Sequence, residues 1–592
     1  MHSPLNRVTI FFLLFLSLPT TASEQQKLTQ LMDDIWQYEL SISPVYASSH
    51  GVHEFDDKLA DISPEGLAKQ NTQFKSFLQK LDKIDKQQLP RTDQINLLMQ
   101  RYRIQNYVDE YRFNAHYVPL TSEYGFHNGM AGLPRSSRFN SLKDYQNYLT
   151  RLRQIPAYFT QQIAWMKKGM VVGMVQPKAV MLGFEKSVES FFSGQVESNT
   201  FYGPFLKLDD IDVTEAQKRA LIIEAKEVIK QDVMGAYQNF YEFLVNDYIP
   251  NAKSDVASKS WPNGEQMYQN RAQYYTTTDL SVDEIHQLGL TEVARIRAEM
   301  QNIVDELGFQ GSISDFIQFL RTDPQFYAKT SVELLKHASY VAKRMDAKLP
   351  KLFYKLPRTP YGVAPVPDAI APKYTTGRYV SPRRDDEPGY YWVNTYALDK
   401  RPLYAIPALT MHEAVPGHHL QISLASEMDN LPNVRRYTYI SAFGEGWGLY
   451  SEFLGKEVGI YQTPYEEFGR LSYEMWRACR LVVDTGMHIK GWSRQRALDY
   501  MLENTALSEH NVTTEIDRYI SWPAQALAYK IGELEIKKLR TEAELALGDK
   551  FDLRAFHDAV LEYGSIPLSV LRENINLFIE QQKQTKLQNR QS

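Results

Sequence analysis

The segment LTMHEAVPGHHLQ carries three histidines and one glutamate at spacings that could hold a metal ion. His412 is followed directly by Glu413, and His418 and His419 come six and seven residues after His412. Neutral imidazoles are good zinc ligands, and a carboxylate beside the ion that does not bind it can act as a general base. The segment therefore predicts a zinc site of the hydrolase type, with His412 as a ligand and Glu413 as the base.

The spacing of these histidines does not suit a regular helix. In the common HExxH arrangement the second histidine follows four residues after the first, about 6 Å along the axis, but here that position is Pro416. Residues six or seven positions on lie about 9 to 10.5 Å away, beyond the reach of one tetrahedral ion. Pro416 lacks an N–H and crowds the carbonyl of His412, so we predict a local widening or break of the helix, which Gly417 makes easier. If two residues loop out as a bulge, His418 takes the place of the second ligand, in preference to His419.

A third ligand is predicted from the segment AFGEGWGLYSE, where Glu445 lies 27 positions after His418. Glu452 follows seven residues later on the same helix face, so one carboxylate could bind the ion while the other hydrogen-bonds a histidine ring. Acidic residues on a helix are usually solvated, but the glycines and aromatic residues around Glu445 indicate close packing. The predicted cofactor is one Zn²⁺ ion held by His412, His418 and Glu445.

Two phenols and a histidine could complete the chemistry. Tyr519 is the preferred donor to a developing oxyanion and Tyr529 is its alternate, although a buried tyrosine is more often part of a core. His488 shares a helix face with Arg480 and Asp484, at i, i+4 and i+8. These three residues could form a salt-bridged stripe, or His488 could donate a hydrogen bond to the reacting carbonyl.

Helical periodicity surrounds these motifs and predicts a mainly α protein with two lobes, residues 24–275 and a catalytic lobe 276–592. Ser281 and Glu284 form a capping box that predicts a helix start. Between residues 350 and 407 helix is improbable, because ten of the 28 prolines fall there. Inside that span the aromatic, β-branched run 389–394 predicts a short strand beside the active-site cleft, which could pair edge-on with an extended peptide.

Composition excludes several classes of protein. The chain has 592 residues, 43% hydrophobic and 23% charged, which is typical of globular proteins. The net charge of -5 shows no excess of positive charge of the kind that binds nucleic acid or an anionic membrane. Cys479 is the only cysteine, so an intrachain disulfide and every cysteine-based metal site are excluded.

The first residues resemble a secretory signal peptide. Arg7 precedes the apolar run Val8–Leu18, and small residues follow up to a cleavage point after Ala22 or Ser23. The run is too short to span a bilayer comfortably, and the lack of a cysteine near the cut argues against a lipid anchor. Residues 1–23 are therefore predicted to be removed from a soluble, exported protein that is periplasmic or secreted.

Four blocks of sequence, HEAVPGHHLQ, GEGWGLYSE, RLVVDTGMH followed by GW, and RYISWPAQALAYKIG, together resemble the bacterial domain of unknown function 885 family. Its members are regarded as candidate zinc metallopeptidases. The blocks are also similar, more distantly, to the helical gluzincin peptidases of the angiotensin-converting-enzyme, thimet-oligopeptidase and thermostable-carboxypeptidase types. This resemblance implies His412 and Glu445 as ligands, Glu413 as base and Tyr519 as the catalytic tyrosine. The enlargement at Pro416–Gly417 departs from the gluzincin pattern.

The combined prediction is an exported zinc peptidase that acts on short peptides. Arg378, Arg383 and Arg384 are candidates for binding a terminal carboxylate, although they could equally be surface charges of a loop. A second hypothesis is a non-catalytic helical protein that binds peptides or a partner and has a degenerate metal site. A third retains the metal but cleaves an ester or a cell-wall amide, since metal and base would be the same.

Overall fold

The computed structural model describes residues 22–368, 370–382, 387–429 and 431–588. The predicted signal peptide lies outside the described residues except for Ala22 and Ser23. The chain is 69% helical, with one small sheet of three strands, which confirms the predicted mainly α class.

The described α-helices follow one another in short segments joined by turns and 3₁₀ helices. They are α1 (Glu24–Ile42), α2 (Pro44–Ser49), α3 (Pro64–Leu81), α4 (Arg91–Arg112), α5 (Phe126–Ala131), α6 (Leu133–Ser136), α7 (Leu142–Leu152), α8 (Ile155–Val172), α9 (Lys178–Met181), α10 (Lys186–Glu189), α11 (Glu215–Val228), α12 (Gly235–Phe243), α13 (Gly264–Thr276), α14 (Val282–Glu306), α15 (Ile313–Thr322), α16 (Ser331–Asp346), α17 (Ile406–Glu413), α18 (His418–Ser426), α19 (Asn433–Arg436), α20 (Ser441–Glu457), α21 (Pro464–His488), α22 (Arg494–Asn504), α23 (Glu509–Ser521), α24 (Ala528–Leu547), α25 (Leu553–Leu561) and α26 (Leu568–Gln588). Two π-helical turns, Ile229–Met234 and Leu244–Tyr248, flank α12.

The start of α14 confirms the predicted capping box. The hydroxyl oxygen of Ser281 accepts a hydrogen bond from the Glu284 N–H at 3.2 Å, and the Glu284 carboxylate accepts from the Ser281 N–H at 2.8 Å. Behind this cap Ile285, Val293 and Ile296 are buried, as their spacing requires. This apolar face lies along α21, which is buried over most of its length. The pair of helices supports the elements that carry the metal-ligand candidates.

The sheet has the strand order β1-β3-β2, with β1 (Tyr361–Pro365), β2 (Gly377–Val380) and β3 (Gly389–Val393). The predicted strand at 389–394 is confirmed as β3. It pairs in parallel with β1 and antiparallel with β2. The prediction that a peptide pairs with this strand is wrong, because both of its edges are already occupied. The outer edge of the sheet that faces the candidate site belongs to β2.

The hydrophobic core does not divide at the predicted lobe boundary. Each of the two larger buried clusters contains residues from both sides of position 275. The contacts across it include the hydrogen bond from the Ser258 N–H to His488 and the one from the Tyr268 hydroxyl to Asp484. The division into lobes stays a prediction.

Across the described residues, the structure contains no helix with the length and apolar character needed to cross a membrane.

Candidate metal centre

The chain breaks its helix directly after the His-Glu pair. The helix α17 ends at Glu413, where Ala414 takes φ -94° and ψ -114°, and α18 begins at His418. The predicted widening or break at Pro416 therefore takes the form of a break and not of a bulge, because Pro416 lacks the N–H that would continue the hydrogen-bond ladder. The His419 N–H instead bonds the Ala414 carbonyl at 3.1 Å. This break folds the chain back and shortens the distance between the histidines.

Gly417 makes the break possible. A Cβ atom at this position would lie 1.9 Å from the carbonyl oxygen of His412, so only glycine fits. The indole N–H of Trp447, on α20, donates to the Pro416 carbonyl at 2.8 Å and fixes the turn against that helix. The helix that carries the predicted third ligand therefore also holds the turn between the other two.

Three ligand atoms converge at the break. The Glu445 Oε2 atom lies 3.5 Å from His412 Nε2 and 3.4 Å from His418 Nε2, and one ligand atom from each residue lies within 4.8 Å of the other two. Tetrahedral ligands about 2.1 Å from one zinc ion are about 3.4 Å apart. Two imidazoles and a carboxylate are also a common donor set of catalytic zinc sites. His412, His418 and Glu445 thus form a possible metal site whose chemistry and spacing fit zinc.

A second carboxylate orients the His412 ring. Its Nδ1–H donates to Glu452 Oε1 at 2.8 Å, and both side chains are almost fully buried. This contact leaves the Nε2 lone pair of His412 directed at the cluster, which is the role of the outer carboxylate in many zinc sites. Gly448, between Glu445 and Glu452 on α20, leaves the space that the ring fills.

The carboxylates determine the protonation of the cluster. Burial by itself would lower the pKa of His412, but the hydrogen bonds to Glu445 and Glu452 raise it to about 9. Burial would likewise raise the pKa of Glu445, but His418 and His412 hold it well below its usual value. A zinc ligand must be a neutral imidazole, so metal binding at neutral pH would displace a proton from His412.

His419 points away from the cluster. Its Nδ1 lies 3.1 Å from the Tyr379 hydroxyl, and its ring stacks at 4.5 Å on Tyr361 of β1. Burial lowers the pKa of His419 to about 4 and keeps the ring neutral. The structure therefore brings His418, and not His419, to the other candidate ligands.

Glu413 lies beside the cluster without joining it. Its Oε2 atom accepts a hydrogen bond from the backbone N–H of Tyr379 at 2.8 Å. Tyr379 lies on β2, so the edge of the sheet and the predicted base are in direct contact. No residue type indicates this contact in advance, because a backbone N–H is available from any residue except proline.

Tyr439 is a site residue that the sequence reasoning missed. The residue is 44% exposed, but its hydroxyl lies close to the carboxylate of Glu445. Burial of the hydroxyl and the charge of Glu445 raise the pKa of Tyr439 well above its usual value, so the phenol is a neutral donor. Its position six residues before Glu445 could have drawn attention to it, but it precedes α20 and shares no helical face with that residue.

Tyr519 is held in a buried hydrogen-bond network. Its hydroxyl accepts from Arg480 Nε at 2.6 Å and from Trp476 Nε1 at 3.0 Å, and the charge of the nearby Glu515 contributes to raising its pKa. With two donors already bonded to its oxygen, the hydroxyl can accept no further hydrogen bond. The catalytic role of Tyr519 stays a prediction.

Tyr529 differs from Tyr519 in being only partly buried. Its ring stacks at 4.2 Å on the guanidinium group of Arg480, and its phenol contributes to the raised pKa of Tyr439. It therefore lies close to a residue whose hydroxyl is near Glu445. Of the two predicted phenols, Tyr529 is the one that lies near Tyr439 and is partly exposed.

His488 is fixed by the backbone. Its Nδ1 accepts from the Ser258 N–H at 3.1 Å, and its Nε2–H donates to the Tyr519 carbonyl at 3.0 Å. Both ring nitrogens are therefore engaged, and burial lowers its pKa to about 4. The predicted salt-bridged stripe is also wrong, because Asp484 binds Tyr268 and the Ala524 N–H instead.

Of the three candidate arginines for a carboxylate, only Arg378 is described. It is exposed on β2, with its guanidinium group 5.9 Å from the centre of the Tyr374 ring. Arg383 and Arg384 lie outside the described residues.

The chain belongs to the family described as bacterial protein of unknown function (DUF885), whose model matches residues 44–575. This match confirms the family resemblance that the four sequence blocks predicted. No curated protein matches the chain.

Two solved structures share the fold of this chain, and a third is more distantly similar. A "putative lipoprotein" from Colwellia psychrerythraea is 30% identical, with a TM-score of 0.86 over 95% of this chain and 100% of that one. A "putative lipoprotein of unknown function" from Shewanella oneidensis is 20% identical, with a TM-score of 0.73 over 93% and 99% of the two chains. An M32 carboxypeptidase from Deinococcus radiodurans R1 is 11% identical, with a TM-score of 0.39 over 93% and 95%.

Proposed function

We propose that this protein is an exported zinc peptidase that hydrolyses short peptides with Glu413 as general base. The observation that carries the proposal is the convergence of His412, His418 and Glu445 at tetrahedral spacing beside a carboxylate that is not a ligand. When bound, zinc would polarise the scissile carbonyl and make an attacking water more acidic.

The residues around the cluster have complementary tasks. Glu413 takes a proton from the attacking water and delivers it to the leaving amine. Its hydrogen bond from the Tyr379 N–H holds the carboxylate in place. Tyr529 replaces Tyr519 as the proposed donor to the carbonyl oxygen, because it lies near Tyr439, which lies near Glu445, and because it is only partly buried.

The edge of β2 supports a peptide substrate. In the antiparallel pairing of β2 with β3, Thr376 and Arg378 are the residues whose backbone groups bond β3. The backbone groups of Gly377 and Tyr379, which alternate with them, therefore point away from β3. The Tyr379 N–H is taken by Glu413, so an extended peptide would bond the Gly377 N–H and carbonyl and the Tyr379 carbonyl, and would lie next to Glu413. The edge fixes the peptide by its backbone, which is common to all sequences.

Export is proposed from the N-terminal pattern. Ser23 caps α1 and forms a capping box with Gln26, and this favours removal of the signal peptide after Ala22, which would leave the cap intact.

Metal analysis together with digestion of a mixed peptide library tests the proposal. Glu413→Gln should retain the metal and lose about 10²- to 10⁴-fold in turnover, because the base is removed while the ligands stay. Glu562→Gln, a change on an exposed residue, is the matched control.

Wild-type turnover by Glu413→Gln would show that the base is wrong. A metal-loaded wild-type protein that cleaves no peptide but cleaves esters or cell-wall amides would favour the alternative hydrolase. A protein that takes up no zinc would favour the non-catalytic binding protein.

A further inference from the structure

A small cavity opens at the beginning of β2, outside the metal cluster. Its lining includes Thr376, Arg401 and Tyr473, together with Ser508 and Asn511 at the start of α23. Its volume is about 40 Å³. One water needs about 10 to 15 Å³ of such space, so the cavity holds about three non-hydrogen atoms. This is the size of a carboxylate group and too small for most side chains.

Arg401 brings an uncompensated positive charge to this cavity. The residue is partly buried, and its Nε atom is inaccessible to solvent without a hydrogen-bond partner among the described residues. Burial lowers the pKa of Arg401, an effect that Tyr473 and Asp399 offset only in part. Asp399 itself is paired with Lys400 at 2.9 Å. A buried guanidinium group is costly unless it is paired, so an anion in the cavity would be stabilising.

The helix α23 adds a second positive contribution. It has 13 residues, and its N-terminal end, at Ser508 and Asn511, lines the cavity. The free N–H groups and the dipole at a helix N-terminus attract negative charge. Lys400, also in the lining, is exposed at the rim. Every charged group in the lining is therefore a cation.

The cavity lies next to the proposed catalytic machinery. Burial raises the pKa of Tyr473 to about 12, Arg477 and Arg401 oppose the rise, and the charges of Glu452 and Glu413 add to it. Tyr473 therefore lines the cavity and is close enough to Glu413 to feel its charge. Thr376 directly precedes β2 and is three residues from Tyr379, or about 10 Å along an extended chain.

The direction of pairing decides which end of a peptide reaches the cavity. A peptide that pairs antiparallel to β2 runs from Val380 towards Gly377, so the part on the carboxyl side of the scissile bond lies at Thr376. A parallel peptide would bring its amino-terminal part, with a positive terminus, to the same cations. Charge therefore favours the antiparallel arrangement.

We propose that Arg401 and the N-terminus of α23 form a subsite for a substrate carboxylate, two or three residues beyond the scissile bond on its carboxyl side. This inference rests on the proposed peptidase function. The carboxylate is either the C-terminus of a short peptide or an acidic side chain at that position. A terminal carboxylate would make the enzyme release dipeptides or tripeptides from the carboxyl end.

Three versions of one peptide test the subsite: the free acid, the C-terminal amide, and an amide with aspartate two or three residues after the scissile bond. Wild-type protein should prefer the free acid to the plain amide by tenfold or more in kcat/KM, mainly through KM, because a charge-assisted hydrogen bond is lost in the amide. Arg401→Met should abolish this preference and Arg401→Lys should restore part of it. Arg219→Met, an exposed change on α11, is the matched control.

The aspartate-containing amide identifies the source of the carboxylate. Cleavage at the rate of the plain amide would assign the subsite to the C-terminus, whereas cleavage at the rate of the free acid would show that a side chain suffices. Equal cleavage of all three peptides by wild-type protein would overturn the subsite while leaving the peptidase function intact.

A binding measurement separates the two proposals. Calorimetry with zinc-loaded Glu413→Gln protein, with and without Arg401→Met, measures affinity for the free acid and the plain amide. If no peptide is cleaved by wild-type protein, the peptidase function fails, and this measurement still decides the subsite. Equal affinities for acid and amide, or no effect of Arg401→Met and Arg401→Lys, would overturn it.

Discussion

Gly448 provides the most direct test of the metal-site geometry. A Cβ atom at this position would lie 2.7 Å from Cε1, 2.8 Å from Nε2 and 3.0 Å from Nδ1 of the His412 ring. Optimal contacts between such atoms are about 3.5 to 4.0 Å, so Gly448→Ala requires the ring to move by about 1 Å. The ring has little freedom, because it is 2% exposed and its Nδ1 is held by Glu452.

The expected effect is on metal affinity much more than on folding. Zinc–ligand distances tolerate only about 0.2 Å, so a displacement of about 1 Å removes or distorts one of three protein ligands. We expect zinc affinity to fall at least 10- to 100-fold, as when an orienting partner is lost. Overpacking costs about 1 to 3 kcal/mol of unfolding free energy, and replacing a helical glycine with alanine returns about 1 kcal/mol.

Zinc affinity would be measured by competition with a chelator, and folding by circular dichroism and thermal unfolding. Gly235→Ala is the matched control, because Gly235 begins α12 with a helical φ and an added Cβ there meets no atom within 4 Å. A folded Gly448→Ala protein with the zinc affinity of the wild type would refute the proposed position of the His412 ring.

Two further predictions concern the outer carboxylate and acid stability. Glu452→Ala should weaken zinc binding about 10- to 100-fold in chelator competition, while Glu457→Ala on the same helix should not, and equal effects would contradict the orienting role. His127, His488 and His557 are fully buried, and burial lowers their pKa values to about 4, 4 and 3. The unfolded state therefore binds more protons below about pH 6.5, so the unfolding free energy should fall by up to about 3 kcal/mol per histidine between pH 6.5 and 4. Urea unfolding at pH 7.5, 5.5 and 4.5 measures this loss, and a constant free energy would contradict it.

Much of the local structure could be predicted because it depends on neighbours in the chain. The cap at Ser281 and the buried face of α14 follow from the residues that contact one another within a few turns. The strand at β3 follows from an aromatic and β-branched run between proline-rich segments. The family could be identified because HEAVPGHHLQ and GEGWGLYSE are long, specific blocks.

The form of the helix break at Pro416, unlike the cap of α14 and the strand β3, could not be predicted from neighbouring residues. Pro416 and Gly417 indicated a disruption, but a bulge and a complete break satisfy the same local constraint. Trp447, 31 residues after Pro416, holds the turn through a backbone carbonyl. The choice between the two forms is therefore made by a distant contact.

The sequence by itself determined the residue types that could bind a metal, the predominance of helix and the location of one strand. Only the tertiary structure decided which histidine meets Glu445 and that β3 is covered on both edges. It also decided that Tyr519 is buried while Tyr529 is partly exposed, and that the Nε atom of Arg401 has no hydrogen-bond partner among the described residues. Periodicity and turn residues reflect interactions between near neighbours. The site depends on packing between segments far apart in the chain and on backbone N–H and carbonyl groups, which every sequence presents alike.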